Sequence, residues 1–358
     1  MSARPWPGGR AIDLRPYVLK PDETVGEALE RLRTNGSGFG VVVGDGGELL
    51  GTVDDGAVRR AALKHTSLDM PVSVLASSRP LVAEKGDSDA RILDLLRSYR
   101  VRAIPVVHGG RLVAVRTMDE FEAATPAPVG VVMAGGRGQR LSPLTDKVPK
   151  PLLRIGGSSI VERIISSLAA AGVEDVYLAV NYKASAFEKR LGDGKGLGVK
   201  LHYVREREPL HTAGALSLLP EVPTVPLLVT NGDIVTTLDF GRLFDFHWHH
   251  GGAVTVAGVE HLSHIPYGVL RTAEHHLLEI DEKPSRRDFV SAGMYMLQPE
   301  VLRFVPPATH MGMPDLIGAV LAEGLPVHVF PVLEKWFDIG SPAEFEEVLH
   351  QFALGEEE

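Results

Sequence analysis

The chain has 358 residues, a formal net charge of −9 and no cysteine. That length allows two or three domains of ~100–200 residues, and the missing cysteine excludes a disulfide scaffold, a thiol nucleophile and a thiolate zinc site. No run approaches ~18 uninterrupted apolar residues, and the first residues hold no apolar leader-like segment, so a soluble, cytoplasmic protein without a membrane partner is expected. The acidity is uneven: residues 1–128 carry 17 Lys+Arg against 17 Asp+Glu, leaving 20 against 29 for the rest. Neither part offers the broad basic face that nucleic acid requires. Glu356, Glu357 and Glu358 read as a solvated tail.

In chain order, the front third contains an internal repeat. Ala28–Arg33, leading to Val41-Val42-Val43, aligns with Ile92–Arg97, leading to Pro105-Val106-Val107. The following Gly46–Gly51 aligns with Gly109–Ala114. Each unit predicts an amphipathic helix, a buried valine strand, a Gly-Gly turn, a second strand and another helix. Two such units can each cover the sheet that the other would leave exposed.

This pattern resembles a tandem pair of CBS domains over residues 1–125, with repeats at about 10–66 and 72–125. The resemblance implies an α+β fold and a nucleotide site formed by Gly-h-h-[Thr/Ser]-x-x-Asp after the second strand. The first repeat reads Gly51-Thr-Val-Asp-Asp-Gly-Ala57, with Asp54 at the hydroxyl position and Ala57 at the acid position. A carboxylate there repels phosphate. The second reads Ala114-Val-Arg-Thr-Met-Asp-Glu120, keeping Thr117 and placing Glu120 for Asp, which makes it the better nucleotide candidate. The pair is expected to serve oligomerisation or docking, with nucleotide sensing as the alternative; a homo-oligomer, dimer or tetramer, is expected.

Ala123–Pro128, with prolines at 126 and 128, reads as a tether. Residues 126–358 then alternate strands and helices. Val129–Ala134 is a continuous apolar run suited to a buried parallel strand, and Val176–Asn181 and Pro226–Val229 read as further buried strands. Ser158–Ala171 has helical periodicity, and β-like runs follow at Ala253–Gly258, Tyr267–Arg271, His276–Ile280 and Phe289–Leu297. An α/β sheet with a later antiparallel section is the expected architecture, with ligands at the carboxyl ends of its strands.

One of those ends is rich in chemistry. Gly135-Gly136-Arg137-Gly138 allows backbone N–H groups to approach phosphate oxygens. Arg137, Arg140, Lys147 and Lys150 follow closely, opposed only by Asp146. Leu141 breaks a dinucleotide fingerprint, and no Gly-Lys-Ser/Thr follows the loop to make a P-loop. Asp233, after Asn231-Gly232 at a strand end, is placed to hold Mg²⁺. His247, His249 and His250 read as a surface helix end, since no acid or fourth ligand lies near.

The segment from Gly130 to Leu152, with Gly-Gly-x-Gly-x-Arg-Leu-x-Pro-Leu-Thr and Pro-Lys-Pro, resembles the signature of the sugar-phosphate nucleotidyltransferases. The resemblance implies a Rossmann-like nucleotidyltransferase domain, mixed but mostly parallel. It implies nucleotide contacts at Ala134, Gly135, Gly136, Gly138, Arg140, Thr212, Gly214 and Asn231. In the stretch Leu210–Leu216, His211 stands where the family has glycine; it either stacks on the base or turns outward. Sugar-phosphate contacts are implied for Lys150, Asn181, Tyr267, Gly268, Glu282, Lys283, Ser291 and Gly293, with Ser291 replacing Asn. Asp338, in Trp336-Phe-Asp-Ile-Gly340, is the implied second ligand of Mg²⁺ beside Asp233. Arg140, Lys150 and Asp233 are the expected catalytic residues. The domain order resembles guanylyltransferases of nonulosonic-acid pathways, implying GTP and glucosamine 1-phosphate. Mannose 1-phosphate guanylyl transfer, thymidylyl or uridylyl transfer, and an inactive nucleotide-sensing regulator are the alternatives.

Overall fold

A computed structural model describes residues 14–99, 101–121 and 127–353. Residues 123–126 of the expected tether and the expected tail Glu356–Glu358 lie outside the described residues. The chain divides into two compact units, Met1–Thr125 and Pro126–Glu358.

In the first unit, each repeat forms a three-stranded sheet of the same order. The first comprises β1 (Val18–Leu19), α1 (Val25–Thr34), β2 (Phe39–Val43), β3 (Leu49–Asp54) and α2 (Asp55–Leu63). The second comprises β4 (Ala83–Glu84), α3 (Asp89–Ser98), β5 (Ala103–His108) and β6 (Arg111–Thr117). The central strands β2 and β5 pair parallel to β1 and β4, and antiparallel to β3 and β6. Thr24 and Ser88 start α1 and α3 by accepting from the N–H three residues on, which satisfies a donor the helix leaves orphaned. Where the repeat pattern predicts a helix after β6, the described chain makes a single 3₁₀ turn, Met118–Glu120. The sheets share apolar contacts through Phe39, Val41, Ala103 and Val115. Leu49 N–H also donates to Gly110 O at 2.9 Å, so each repeat closes the other's open side.

The second unit is built on a seven-stranded sheet. Its elements are β7 (Val129–Met133), the short pair β8 (Arg154–Ile155) and β9 (Ser158–Ser159), α4 (Ile160–Ala170), β10 (Asp175–Val180), α5 (Ala184–Leu191) and β11 (Lys200–Arg205). There follow α6 (His211–Gly214), β12 (Leu227–Asn231), β13 (Ile234–Thr236), α7 (Phe240–His250), β14 (Val254–His264), β15 (Gly268–Ala273), β16 (His276–Glu282) and β17 (Ser285–Leu297). The last are α8 (Met313–Ala322), β18 (Val327–Val332), β19 (Trp336–Asp338) and α9 (Pro342–Ala353).

The sheet order is β11-β10-β7-β12-β17-β14-β18. β11, β10, β7 and β12 run parallel, β17 is antiparallel to both neighbours, and β18 pairs parallel with β14. Parallel strands need both faces covered. One face is covered by an apolar cluster including Ile164, Leu168, Phe187, Leu243 and Phe330, the other by one including Leu216, Val229, Leu316 and Val320. The strand order switches sides at β7, with β10 and β11 added on one side and β12 on the other, and the loops at that switch point open a crevice of the kind that binds ligands in such sheets. Outside the sheet, β15 and β16 make a separate hairpin, and β13 pairs antiparallel with β19.

Candidate active site

The cleft has a volume of about 510 Å³, within the range of small-molecule sites. Its floor is the loop after β7. Met133, Ala134, Gly135, Gly136, Arg137, Gly138 and Arg140 all line it, with Lys150, Thr212, Asn231 and Asp233 from other elements. Thus most of the expected nucleotide contacts come together.

Two glycines permit this packing. Gly138 lies at φ 61°, and a Cβ there would stand 2.9 Å from Lys150 Cβ. Thr145 Oγ1 donates to Gly138 O at 2.8 Å, tying the phosphate loop to the segment carrying Lys150. A Cβ on Gly232 would meet Met133 O at 2.9 Å, while its own N–H donates to that oxygen. Only a bare backbone lets the turn after β12, and hence Asp233, sit against the end of β7. Gly136 has open space on its Cβ side.

Lys150 is the hub. It is 8% exposed, and its Nζ lies 2.5 Å from Asp233 Oδ2 and 3.6 Å from Asp338 Oδ1. Three rungs between β13 and β19 pair Ile234 with Asp338, bringing the two acids to one cation. Trp336 Nε1 donates to Ala292 O at 3.0 Å and anchors β19 on β17. Partial burial and the neighbouring Asp233 charge hold the Asp338 carboxyl above its usual range, with Lys150 opposing. Arg137 and Arg140 line the cleft and make no hydrogen bond or ion pair among the described residues. Their charge faces whatever enters.

The acid pair suits a divalent cation. Both carboxylates already converge on positive charge, and Mg²⁺ takes one or two carboxylates with substrate phosphates and water completing its shell. Among the described residues no three His, Asp or Glu side chains gather as a ready-made metal cage.

Other expected residues lie elsewhere. Gly214 is absent from the cleft wall; its N–H donates to Met311 O, and a Cβ would fall 2.2 Å from Thr309 O. It is a close-packing glycine rather than an open donor. Asn181 donates to Glu206 O at 2.9 Å and flanks Gly135. Gly293 lies at φ 70°, with its Cβ position 2.6 Å from Asn231 Nδ2, so it seats β17 against the cleft floor. The Ser291 hydroxyl is bonded to Tyr295 Oη at 2.8 Å. Tyr267, Gly268, Glu282 and Lys283 belong to the β15–β16 hairpin and its edges, all exposed, Tyr267 to 74%, and none lines the cleft.

Two features escape sequence reasoning. Glu206, just past β11, lines the cleft; its Oε2 accepts from Leu210 N–H at 2.8 Å, and its Oε1 faces Gly135. Burial raises its pKa, partly offset by that hydrogen bond and by His211. An acid at the carboxyl end of a parallel strand was the available signal. The second feature corrects the histidine reading: His247 is fully buried instead of lying at a surface helix end. Its Nε2 accepts from Gln298 Nε2 at 3.1 Å, which leaves Nδ1 to donate to Thr255 Oγ1 at 2.9 Å. His249 and His250 bond to carbonyls of their own helix.

His211 lines the cleft at φ 67°, a conformation costing a residue with a Cβ about 1–2 kcal/mol. In the first unit, Asp54 is the N-cap of α2, accepting from Ala57 N–H. Glu120 accepts from Thr117 N–H at 2.8 Å and from Arg116 Nε at 2.5 Å, so both its oxygens are engaged.

Residues 129–353 match the nucleotidyl transferase family and residues 11–64 the CBS domain family. Among curated relatives, the mannose-1-phosphate guanylyltransferase of Mycobacterium tuberculosis is 33% identical over 229 residues, 62% of this chain and 64% of its own. The mannose-1-phosphate guanyltransferase of Neurospora crassa is 36% identical over 226 residues, 60% of this chain and 61% of its own. The chain therefore spans less than two thirds of these relatives' length. Solved structures share the fold: one described as a glucose-1-phosphate thymidylyltransferase of Bacillus anthracis has a TM-score of 0.52 at 20% identity, covering 63% of this chain and 95% of that one. HddC of Yersinia pseudotuberculosis has a TM-score of 0.50 at 24% identity, covering 63% and 99%. A match running through the phosphate loop, Lys150 and both acids places more than half of the chain in one group: it belongs to the nucleotidyl transferase family.

Proposed function

We propose that the chain is a sugar-1-phosphate guanylyltransferase, joining GTP to a hexose 1-phosphate with release of pyrophosphate. The observation that carries this is the convergence of Lys150, Asp233 and Asp338 beside a glycine loop flanked by unpaired Arg137 and Arg140. Glu206 supports guanine as the base. Guanine offers two adjacent donors, N1–H and its amino group, to one carboxylate, whereas adenine presents an acceptor at N1. Glucosamine 1-phosphate is the acceptor that the domain order favours; the curated relatives' names favour mannose 1-phosphate as the second reading.

The reaction needs little acid–base chemistry. An oxygen of the sugar phosphate, already anionic, bonds to the α-phosphorus as the bond to the bridging oxygen of the β-phosphate breaks. Catalysis then reduces to alignment and charge neutralisation. Arg140 and the Gly135–Gly138 amides hold the phosphates of the departing pyrophosphate. Lys150 orients the attacking phosphate, and Asn181, Tyr267, Gly268, Glu282, Lys283, Ser291 and Gly293 are assigned to the sugar side. A divalent cation, with Mg²⁺ as the proposed ion, held by Asp233 and Asp338 would supply charge neutralisation at the reacting phosphates. In the first unit, a nucleotide at Thr117 and Glu120 would have to displace Arg116 from Glu120, which favours oligomerisation or docking as that unit's role. A pyrophosphate-release assay crossing four nucleoside triphosphates with glucosamine, mannose, glucose and N-acetylglucosamine 1-phosphates tests the proposal. Release with GTP and one hexosamine or hexose phosphate is expected; silence across the panel overturns it.

A further inference from the structure

His211 is held where a side chain is costly, and the fold gains nothing visible from it. It is exposed at the cleft wall and, among the described residues, its side chain forms no hydrogen bond or ion pair. Among the described residues its ring meets His310 edge-to-face, centroids 4.9 Å apart. The wall itself is secured without it. Met311 N–H donates to Leu210 O, Ala213 and Gly214 N–H donate to Met311 O, and Met313 N–H donates to Thr212 Oγ1 at 2.9 Å. This backbone clasp fixes His310 beside His211 whatever side chain stands at position 211. A strained residue that the surrounding structure over-determines, inside a ligand cleft, points to function.

We propose that His211 is a nucleotide-positioning residue: its imidazole covers the purine base held at Glu206, and His310 is the post that keeps the ring turned to the cleft. Glu206 and His211 share the cleft wall, five residues apart, with Leu210 N–H bound to the Glu206 carboxylate between them. A carboxylate can read only the edge of a base, so a ring against its face adds contact without competing for donors. Stacking of this kind depends on contact area, and it discriminates purines from pyrimidines through the larger purine surface.

This inference rests on the guanylyltransferase reading, and its test separates the two. GTP binding is measured by calorimetry, and steady-state turnover with GTP and the accepted sugar phosphate, on the full chain and on His211→Gly, His211→Phe and His310→Ala. His211→Gly relieves the backbone strain and is expected to melt no lower than wild type. Its Kd and KM for GTP should nevertheless rise about tenfold, with kcat within about twofold. His211→Phe should restore most of the affinity, and His310→Ala should fall between. Wild-type binding of GTP with unchanged affinity in His211→Gly overturns the inference alone. A wild type that binds no nucleoside triphosphate overturns both it and the reading beneath it.

Discussion

The buried histidine makes the second unit acid-sensitive in a calculable way. His247 is fully enclosed, with both ring nitrogens partnered as a neutral imidazole, and burial, aided by nearby His328, pushes its pKa down from 6.5 to about 4. In the unfolded chain it returns to ~6.5. Between these values the unfolded state binds one more proton than the folded state, so stability falls as pH drops, by about 1.4 kcal/mol per unit. From pH 7.5 to 5.0 the loss is about 2 kcal/mol, approaching about 3 kcal/mol below pH 4. Urea unfolding followed by tryptophan fluorescence measures it, because Trp248 and Trp336 both lie in this unit. His247→Gln keeps hydrogen-bonding capacity without the titration, so the wild type should lose about 2 kcal/mol more than the variant over that interval. A difference below about 0.5 kcal/mol, or one of opposite sign, refutes the argument.

Other consequences are equally direct. Asp233→Ala should lower turnover by about 10³-fold or more, and raising Mg²⁺ should not recover it; substantial metal-dependent activity would remove Asp233 from its assigned role. Glu206→Gln keeps the Leu210 hydrogen bond but loses the charge and one acceptor, so the kcat/KM preference for GTP over ATP should fall by about tenfold or more; an unchanged ratio excludes Glu206 as a base reader. Gly214→Ala forces a Cβ to within 2.2 Å of Thr309 O and should cost about 1–3 kcal/mol in denaturant unfolding, while a neutral outcome would mean the Met311 clasp yields easily.

What could be read in advance follows from how local each feature is. The phosphate loop is contiguous from Val129 to Lys150, and its glycines and cations announce their chemistry. The parallel strands announced themselves as apolar runs, although β14 and β17 extend beyond theirs into polar, exposed ends. Glu206 was hidden because it sits between Arg205 and Arg207, like any solvated surface acid, and gains meaning only when folding brings it to Gly135. His247 was legible and missed: Phe240, Leu243, Phe244 and His247 follow helical spacing along one buried face, but the His-Trp-His-His run suggests a polar terminus. The residues assigned to the sugar side could be found by motif, yet Tyr267, Gly268, Glu282 and Lys283 stand on an exposed hairpin whose position no motif conveys.

The three rungs between β13 and β19 carry a consequence for the order in which the site becomes real. During synthesis the phosphate loop, Lys150 and Asp233 are all made long before Asp338. Without Asp338, Lys150 and Asp233 alone amount to a pair of zero net charge. Arrival of Asp338 turns that pair into a cradle of net charge −1. Demand for an additional cation is therefore created late, by a strand of three residues. A chain ending before Trp336 would lack Asp338, and with it the second carboxylate beside Lys150.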